Sequence, residues 1–336
     1  LMKKVNIAVL GCGRIGQMHA LNVANHSMTQ LACVYDVSTE FANKVAKDLN
    51  VPAITNESEI FSNPEIDAIL VASPTSTHID FIEKSVAANK PVLCEKPIDL
   101  DINRVNECAA RLKGNTVPIQ LGFNRRFDPG HYAAKKALLD GNIGELHQCI
   151  ITSRDPGLPS WDYLKVSGGL FRDMTIHDFD LARFMLGEEP VKLFATATAL
   201  VEPKIGSELK DCDTIMVIME TASGKQCHIN NSRSASYGYD QRVELFGSKG
   251  MVISDNRKPH ELKKFSGDGV ELTEPYLNFF IERYHEAYMN EITAFAEVVI
   301  NKTKPSVDFE DGRKALVLAE TAYKSVKSGK FEEINN

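Results

Sequence analysis

The stretch VNIAVLGCGRIGQMHALNVAN, residues 5–25, constrains the fold of this chain more than any other. An apolar, largely β-branched run enters a glycine turn and then changes to helical periodicity, with Ile15, Met18 and Val23 as apolar positions. Strand, turn and helix follow in that order. Gly11, Gly13 and Gly16 complete a G-x-G-x-x-G pattern: one permits a tight turn, one lets the backbone approach a pyrophosphate, and one allows close packing of helix on strand. The helix N-terminus, at Arg14 and Ile15, then faces the phosphates. A plain structural turn could use the same glycines, and the following segment decides between the two. A second apolar run, LACVYD, ends in Asp36, twenty residues past Gly16, where a carboxylate can accept hydrogen bonds from an adenosine ribose. The competing reading is that Asp36 caps a helix beginning near Thr39. A carboxylate there repels a 2′-phosphate, and Val37, Ser38 and Thr39 offer no arginine to hold one, so the sequence predicts NAD rather than NADP.

The βα rhythm continues through AILVA (68–72), a helix from about 77 to 88, PVLCE (91–95), a helix near 101–113 and VPIQLGF (117–123). Such alternation builds a doubly wound parallel sheet, whose ligands lie beyond the carboxyl ends of the strands. That rule selects Ser73, Pro74, Thr75, His78, Glu95, Lys96, Pro97 and Asn124 as cleft residues. Lys96, where a strand ends beside Glu95, can point a charge at reacting atoms. A surface lysine at a sheet edge is the alternative.

After GFNRRFD the alternation weakens and longer strand-like runs appear: 145–154, 191–201, 213–220 and 225–233, with shorter ones near 242–253. Several alternate apolar and polar residues, the mark of a largely antiparallel sheet with one covered face. The other face would carry Thr196, Thr198, Met216 and Ile218, a place for a partner chain. The expected division is a Rossmann domain over 1–123 and an α+β substrate-binding and oligomerisation domain over 124–336. With 336 residues, 43% hydrophobic, the chain is long enough for two such cores.

A net charge of −7 argues against a nucleic-acid binder, which needs a basic surface, and leaves small-molecule partners. Seven scattered cysteines without a CxxC pair suggest neither a disulfide framework nor a zinc knuckle. No apolar run reaches the 18 residues of a membrane span, and Lys3 and Lys4 lead straight into a strand without a signal-peptide pattern; the cytoplasm is expected. Leu1 ahead of Met2 reads as an addition before the natural start.

The segment GGLFRDMTIHDFDLARFML, 168–186, sets Asp173, His177 and Asp180 into what otherwise reads as a buried amphipathic helix, at spacings that put all three on one face. A metal site needs further ligands, and neither HExxH nor a cysteine pair supplies them; no metal is expected. A satisfied core histidine is the bland reading. Beside a dinucleotide fold, a histidine base is favoured, because a substrate hydroxyl must lose its proton as its carbon loses hydride. Asp173 can then fix the histidine tautomer and Lys96 stabilise the developing alkoxide.

Five motifs in this order, GCGRIG, EKP (95–97), GFNRRFD (122–128), GGLFRDMTIHDFD (168–180) and ELFGSKG (244–250), resemble the Gfo/Idh/MocA oxidoreductases over nearly the whole chain. The pattern is most similar to members that oxidise inositol at carbon 2. The resemblance implies that Lys96, Asp173 and His177 form the catalytic set. It also implies that Asp180 holds a substrate hydroxyl, that Arg126 lines the pocket, and that Tyr237 of SYGYD reaches it. Ser153 falls where some relatives carry a substrate-contacting histidine. Tyr163 and Lys165 fall in a candidate pocket loop. The resemblance further implies a cis Lys96-Pro97 bond, a large open second sheet that mediates dimers or tetramers, and a C-terminal helix over about 309–327 packing near the nucleotide domain. Ala315, Leu318, Ala319, Ala322 and Val326 would form that helix's apolar stripe.

The implied activity is NAD-dependent oxidation of a secondary hydroxyl of a cyclic polyol. Myo-inositol going to its 2-keto form is the first choice, and scyllo-inositol or a pyranose sugar the second. A dinucleotide sensor without catalysis is the rival of a different class, and the intact Lys96, Asp173 and His177 set argues against it.

Overall fold

A computed structural model describes residues 4–335, so Leu1 lies outside the described residues. The chain divides into two compact units, 4–124 with 287–314, and 125–286 with 315–335.

The first unit alternates strand and helix: β1 (Val5–Leu10), α1 (Arg14–Asn25), β2 (Thr29–Tyr35), α2 (Thr39–Leu49), β3 (Ala53–Ile54), α3 (Glu57–Ser62), β4 (Ala68–Val71), α4 (His78–Ala87), β5 (Val92–Cys94), α5 (Ile102–Arg111) and β6 (Ile119–Leu121). All strands run parallel, in the order β3-β2-β1-β4-β5-β6, and the order reverses beside β1. That reversal opens a crevice at the strand ends. The helices start where the sequence supplies acceptors for their first N–H groups: Ser38 caps α2 and Asp101 caps α5.

The second unit follows with α6 (Pro129–Leu139), β7 (Leu146–Arg154), α7 (Trp161–Val166), α8 (Ile176–Leu186), β8 (Pro190–Thr198), α9 (Pro203–Leu209), β9 (Thr214–Thr221), β10 (Gln226–Ser232), β11 (Asp240–Gly247), β12 (Gly250–Ser254), a hairpin of β13 (Lys264–Ser266) and β14 (Gly269–Leu272), and α10 (Phe280–Arg283). Last come α11 (His285–Asn301), α12 (Phe309–Ser328) and β15 (Glu332–Glu333). Seven strands form one open sheet, β12-β11-β7-β10-β9-β8-β15, antiparallel except where β7 meets β10. The alternation seen in the sequence is real: Ile215, Val217 and Met219 of β9 are buried, while Met216 and Ile218 are exposed. Helix α8 packs against β7 and β10.

Two features depend on distant parts of the chain. Helix α11, nearly 300 residues into the sequence, belongs to the first unit, where Ile292, Phe295 and Ala296 pack with Ile7, Val9 and Leu93. Burying side chains of this size contributes about 1.5–3 kcal/mol each. Helix α12 begins in the first unit and continues, from Ala315, in the second. Ala315, Leu318, Ala319 and Ala322 are buried, but Val326 is 36% exposed. Ser325 takes the inward position instead, because its hydroxyl accepts from the Ala195 N–H of β8 at 2.9 Å.

Candidate active site

In the first unit, Gly11 has φ +102°, and a Cβ there would lie 2.5 Å from the main chain of Ala72 and Ser73. A Cβ on Gly16 would lie 1.9 Å from the Gly11 carbonyl oxygen. These two glycines close the turn onto β4 and α1 onto the turn. Gly13 differs: it caps α1 with no side-chain bond, and nothing stands within 4 Å of where its Cβ would be. The first turn of α1 therefore starts beside open space at Gly13, at the positive end of the helix. Arg14 is exposed and Ile15 half-buried beside them. Asp36 binds the turn itself: its Oδ2 accepts from the Cys12 N–H at 2.7 Å and its Oδ1 from the Ser38 N–H at 2.8 Å. The cap of α2 falls to the Ser38 hydroxyl, so Asp36 keeps lone pairs for a ribose diol. This cradle, empty at Gly13 and rimmed by a carboxylate at β2, fits a dinucleotide.

The loops after β4 and β5 are tied together by His78. Its Nδ1 lies 2.7 Å from the Pro97 carbonyl oxygen and its Nε2 lies 2.8 Å from that of Ser73. Carbonyls only accept, so the two together favour the doubly protonated ring, while burial pulls the pKa below the ordinary histidine value. The Ser73 hydroxyl meets that of Thr77 at 2.6 Å, and Pro74 and Thr75 open the short 3₁₀ turn between them. The Lys96-Pro97 bond is cis. Lys96 is half-buried and Asn124 buried. Glu95 turns inward, its Oε1 2.6 Å from Nε2 of His19.

In the second unit the expected continuous helix is interrupted. Phe171–Thr175 forms one turn of π-helix, and α8 starts only at Ile176. The Thr175 hydroxyl stands at the widening: it donates to Asn231 Oδ1 at 2.6 Å and lies 3.4 Å from the Leu170 carbonyl oxygen five residues back. The 100° step per residue therefore fails between Asp173 and His177. Asp173 is instead fixed from outside its own helix, with the Tyr163 hydroxyl donating to Oδ1 at 2.6 Å and Arg233 to Oδ2 at 3.0 Å. His177 is half-buried on the first turn of α8. Arg126 grips Asp180 through two bonds of 2.8 and 2.6 Å, and both side chains are buried. Ser153, fully buried, accepts from Arg125 at 3.2 Å and donates to Gln241 at 3.0 Å. The same network reaches Tyr284 and His131, whose pKa burial pushes down to about 3. Tyr237 donates to Asp240 at 2.6 Å and accepts from Arg154 at 2.8 Å. Lys165 pairs with Asp162 on the protein exterior.

Residues 5–123 match the description "Oxidoreductase family, NAD-binding Rossmann fold", and residues 135–334 match "Oxidoreductase family, C-terminal alpha/beta domain". The chain belongs to the Gfo/Idh/MocA oxidoreductase family. It is 46% identical over 323 residues to an inositol 2-dehydrogenase of Rhizobium meliloti, covering 96% of this chain and 97% of that one. It is 40% identical over 334 residues to a myo-inositol 2-dehydrogenase of Thermotoga maritima, covering 98% and 99%. A crystal structure of a myo-inositol dehydrogenase from Corynebacterium glutamicum superimposes with a TM-score of 0.95 at 41% identity, covering 99% of this chain and all of the other.

Against the Gfo/Idh/MocA motifs, two residues were not legible. Arg233, 1% exposed, holds Asp173 and lies 3.8 Å from Asp155. Burial and the nearby Asp173 charge raise the Asp155 pKa to about 6, against the pull of Arg233. Neither residue stands in a recurring motif; only an arginine ending an apolar strand, in NNSR, hints at the first.

Proposed function

We propose that this Gfo/Idh/MocA oxidoreductase oxidises myo-inositol to its 2-keto form, 2-keto-myo-inositol, with NAD as the electron acceptor. The observation that carries this reading is the near full-length likeness to an inositol 2-dehydrogenase at 46% identity, with Lys96, Asp173 and His177 all present. Bound NAD supplies the hydride acceptor. His177 is the base that takes the hydroxyl proton, since a neutral imidazole does this near neutral pH. Asp173, itself held by Tyr163 and Arg233, orients it and stabilises the imidazolium. Lys96 stabilises the developing alkoxide. On the cofactor side, the N–H groups around Gly13, Arg14 and Ile15 hold the pyrophosphate and Asp36 holds the ribose; Ser73, Pro74, Thr75, His78, Glu95 and Asn124 shape the rest of the cofactor cleft. Arg126, Ser153, Asp180 and Tyr237 shape the substrate side.

The exposed apolar residues Met216, Ile218, Phe246, Met251 and Ile253 on one face of the second sheet support a homo-oligomer, a dimer or tetramer. Ile218→Arg should then shift the sedimentation coefficient toward the monomer. Among the described residues no helix is long and apolar enough to cross a membrane, and all seven cysteines are free and buried, which supports a cytoplasmic enzyme. Appearance of reduced nicotinamide absorbance with NAD and a panel of inositols and aldoses tests the activity. Turnover highest on myo-inositol is expected; turnover highest on an aldose would overturn the substrate, and cofactor binding without turnover on any polyol would overturn the enzyme.

A further inference from the structure

His19, Glu95 and Glu291 converge inside the first unit from α1, the end of β5 and α11, with one nitrogen or carboxylate oxygen of each within 4.8 Å of the others. His19 is 1% exposed and Glu291 fully buried. Glu95 is well used: Oε1 meets His19, and Oε2 accepts the main-chain N–H of Lys96 at 3.3 Å. Glu291 is not. Neither of its carboxylate oxygens has a hydrogen-bond partner, and its main-chain carbonyl, rather than its side chain, accepts from Gln120 at 3.1 Å.

An ionised carboxylate without donors is not sustained at a fully buried position; it takes up a proton or binds a cation. The geometry decides between these. A metal-bound histidine hands its other ring N–H to an acceptor, and Nδ1 of His19 has none. Its Nε2, the atom that would ligate, already faces Glu95. Burial and the Glu95 charge both push Glu291 well above the ordinary carboxylate range. The other titratable groups around the cluster are Tyr288 on α11, edge-on to His19 at 5.5 Å, and the Cys94 thiol and His78 ring, both of which feel Glu95.

We propose that Glu291 is held as a neutral carboxylic acid beside Glu95, and that with His19 it is a positioning residue for Lys96. While Glu291 keeps its proton, Glu95 stays seated between His19 and the Lys96 main chain. Loss of that proton sets two charged carboxylates against each other in a medium of low dielectric. Glu95, at the end of a strand rather than within a helix, is the one able to move, and the Lys96 main chain moves with it. The link to Lys96 rests on the role given to that residue above; the protonation state of Glu291 does not.

Infrared difference spectra of the full-length enzyme against Glu291→Gln test the proton directly. The carbonyl-stretch band of a protonated carboxylic acid is expected in the wild type at neutral pH and absent from the variant; no band, or the same band in both, overturns the proposal. One equivalent of a divalent cation in the purified wild type, lost in Glu291→Gln, overturns it in favour of a metal site. In thermal unfolding, the wild type loses stability as pH rises from the unfolded glutamate pKa of about 4.3 toward the raised folded value. Glu291→Gln should therefore gain over it progressively across that range, and a constant difference counts against the raised value. For Lys96 the readout is the alkaline limb of kcat: Glu291→Gln should match wild-type kcat and KM at neutral pH and hold its rate to higher pH. An identical limb in both proteins overturns the positioning role. If the wild type oxidises no polyol, the proposed function fails and so does the role toward Lys96, while the infrared and unfolding experiments still decide the state of Glu291.

Discussion

In the first unit the glycine turn is built from backbone: three glycines within six residues, a helix start without a side-chain cap and one carboxylate that binds the turn through Cys12 and Ser38. The second unit holds its candidate residues with buried charged side chains drawn from far along the chain. Arg233 reaches Asp173 across 60 residues, and Arg125 reaches Asp178 across 53. Backbone sites tolerate little change of shape, because an added Cβ meets main chain that cannot step aside. Ion-pair sites tolerate little change of charge, because a buried charge that loses its partner keeps its desolvation penalty. Substitutions in the glycine turn and at Asp36 should therefore register mainly in cofactor affinity, and those in the ion-pair network of the second unit mainly in chemistry and stability.

The largest test of that division is His177→Ala. It should lower kcat by roughly 10²–10⁴-fold while NAD affinity, read by fluorescence titration, stays near wild type. In the wild type kcat/KM should rise with pH through an apparent value belonging to the coupled Lys96, Asp173 and His177 group, and in the variant that limb should flatten. Parallel losses of NAD affinity and turnover would break the comparison.

Next in size is Arg233→Met, which removes from the half-buried Asp173 and Asp155 the guanidinium that both of them face. It should destabilise the protein by about 3–5 kcal/mol in denaturant unfolding. Arg233→Lys should recover part of this, short of the two-pronged contact; a loss under about 1 kcal/mol for the methionine variant would show that the network does not hold the site.

For the first unit, Asp36→Ala should weaken NAD by about 1.5–3 kcal/mol, the range for hydrogen bonds to a charged group, and weaken NADP far less. Asp36→Ser with Val37→Arg should move the preference toward NADP by supplying a partner for the 2′-phosphate. Wild-type preference for NADP would overturn the reading of Asp36.

The smallest expected effect sharpens the comparison through pH. With its pKa raised to about 6 from 3.8, Asp155 is more readily protonated folded than unfolded, so the wild type loses stability as pH rises through that window. Asp155→Asn should be spared the loss and gain on the wild type progressively between the two values, then level off. Unfolding curves at several pH values that stay parallel across this range would remove Asp155 from the network.

Local rules were enough for much of this. The glycine pattern, the apolar strand runs and the alternating strands led to the parallel and the largely antiparallel sheets, because strand pleat, helix pitch and the steric needs of a tight turn act within a few residues. Asp36 and the EKP and Asp-x-x-x-His motifs stand in the sequence as short patterns. The π-turn before α8 does not: at it a threonine hydroxyl bonds to Asn231, a residue 56 positions away, and the helical spacing of Asp173 and His177 gave no sign of it. Nor did the sequence place α11 against the first sheet, pair Arg126 with Asp180, or bring Glu291 to Glu95 and His19. Such contacts depend on which distant side chains share an interior where an unpaired charge is costly, and only the tertiary structure decides that.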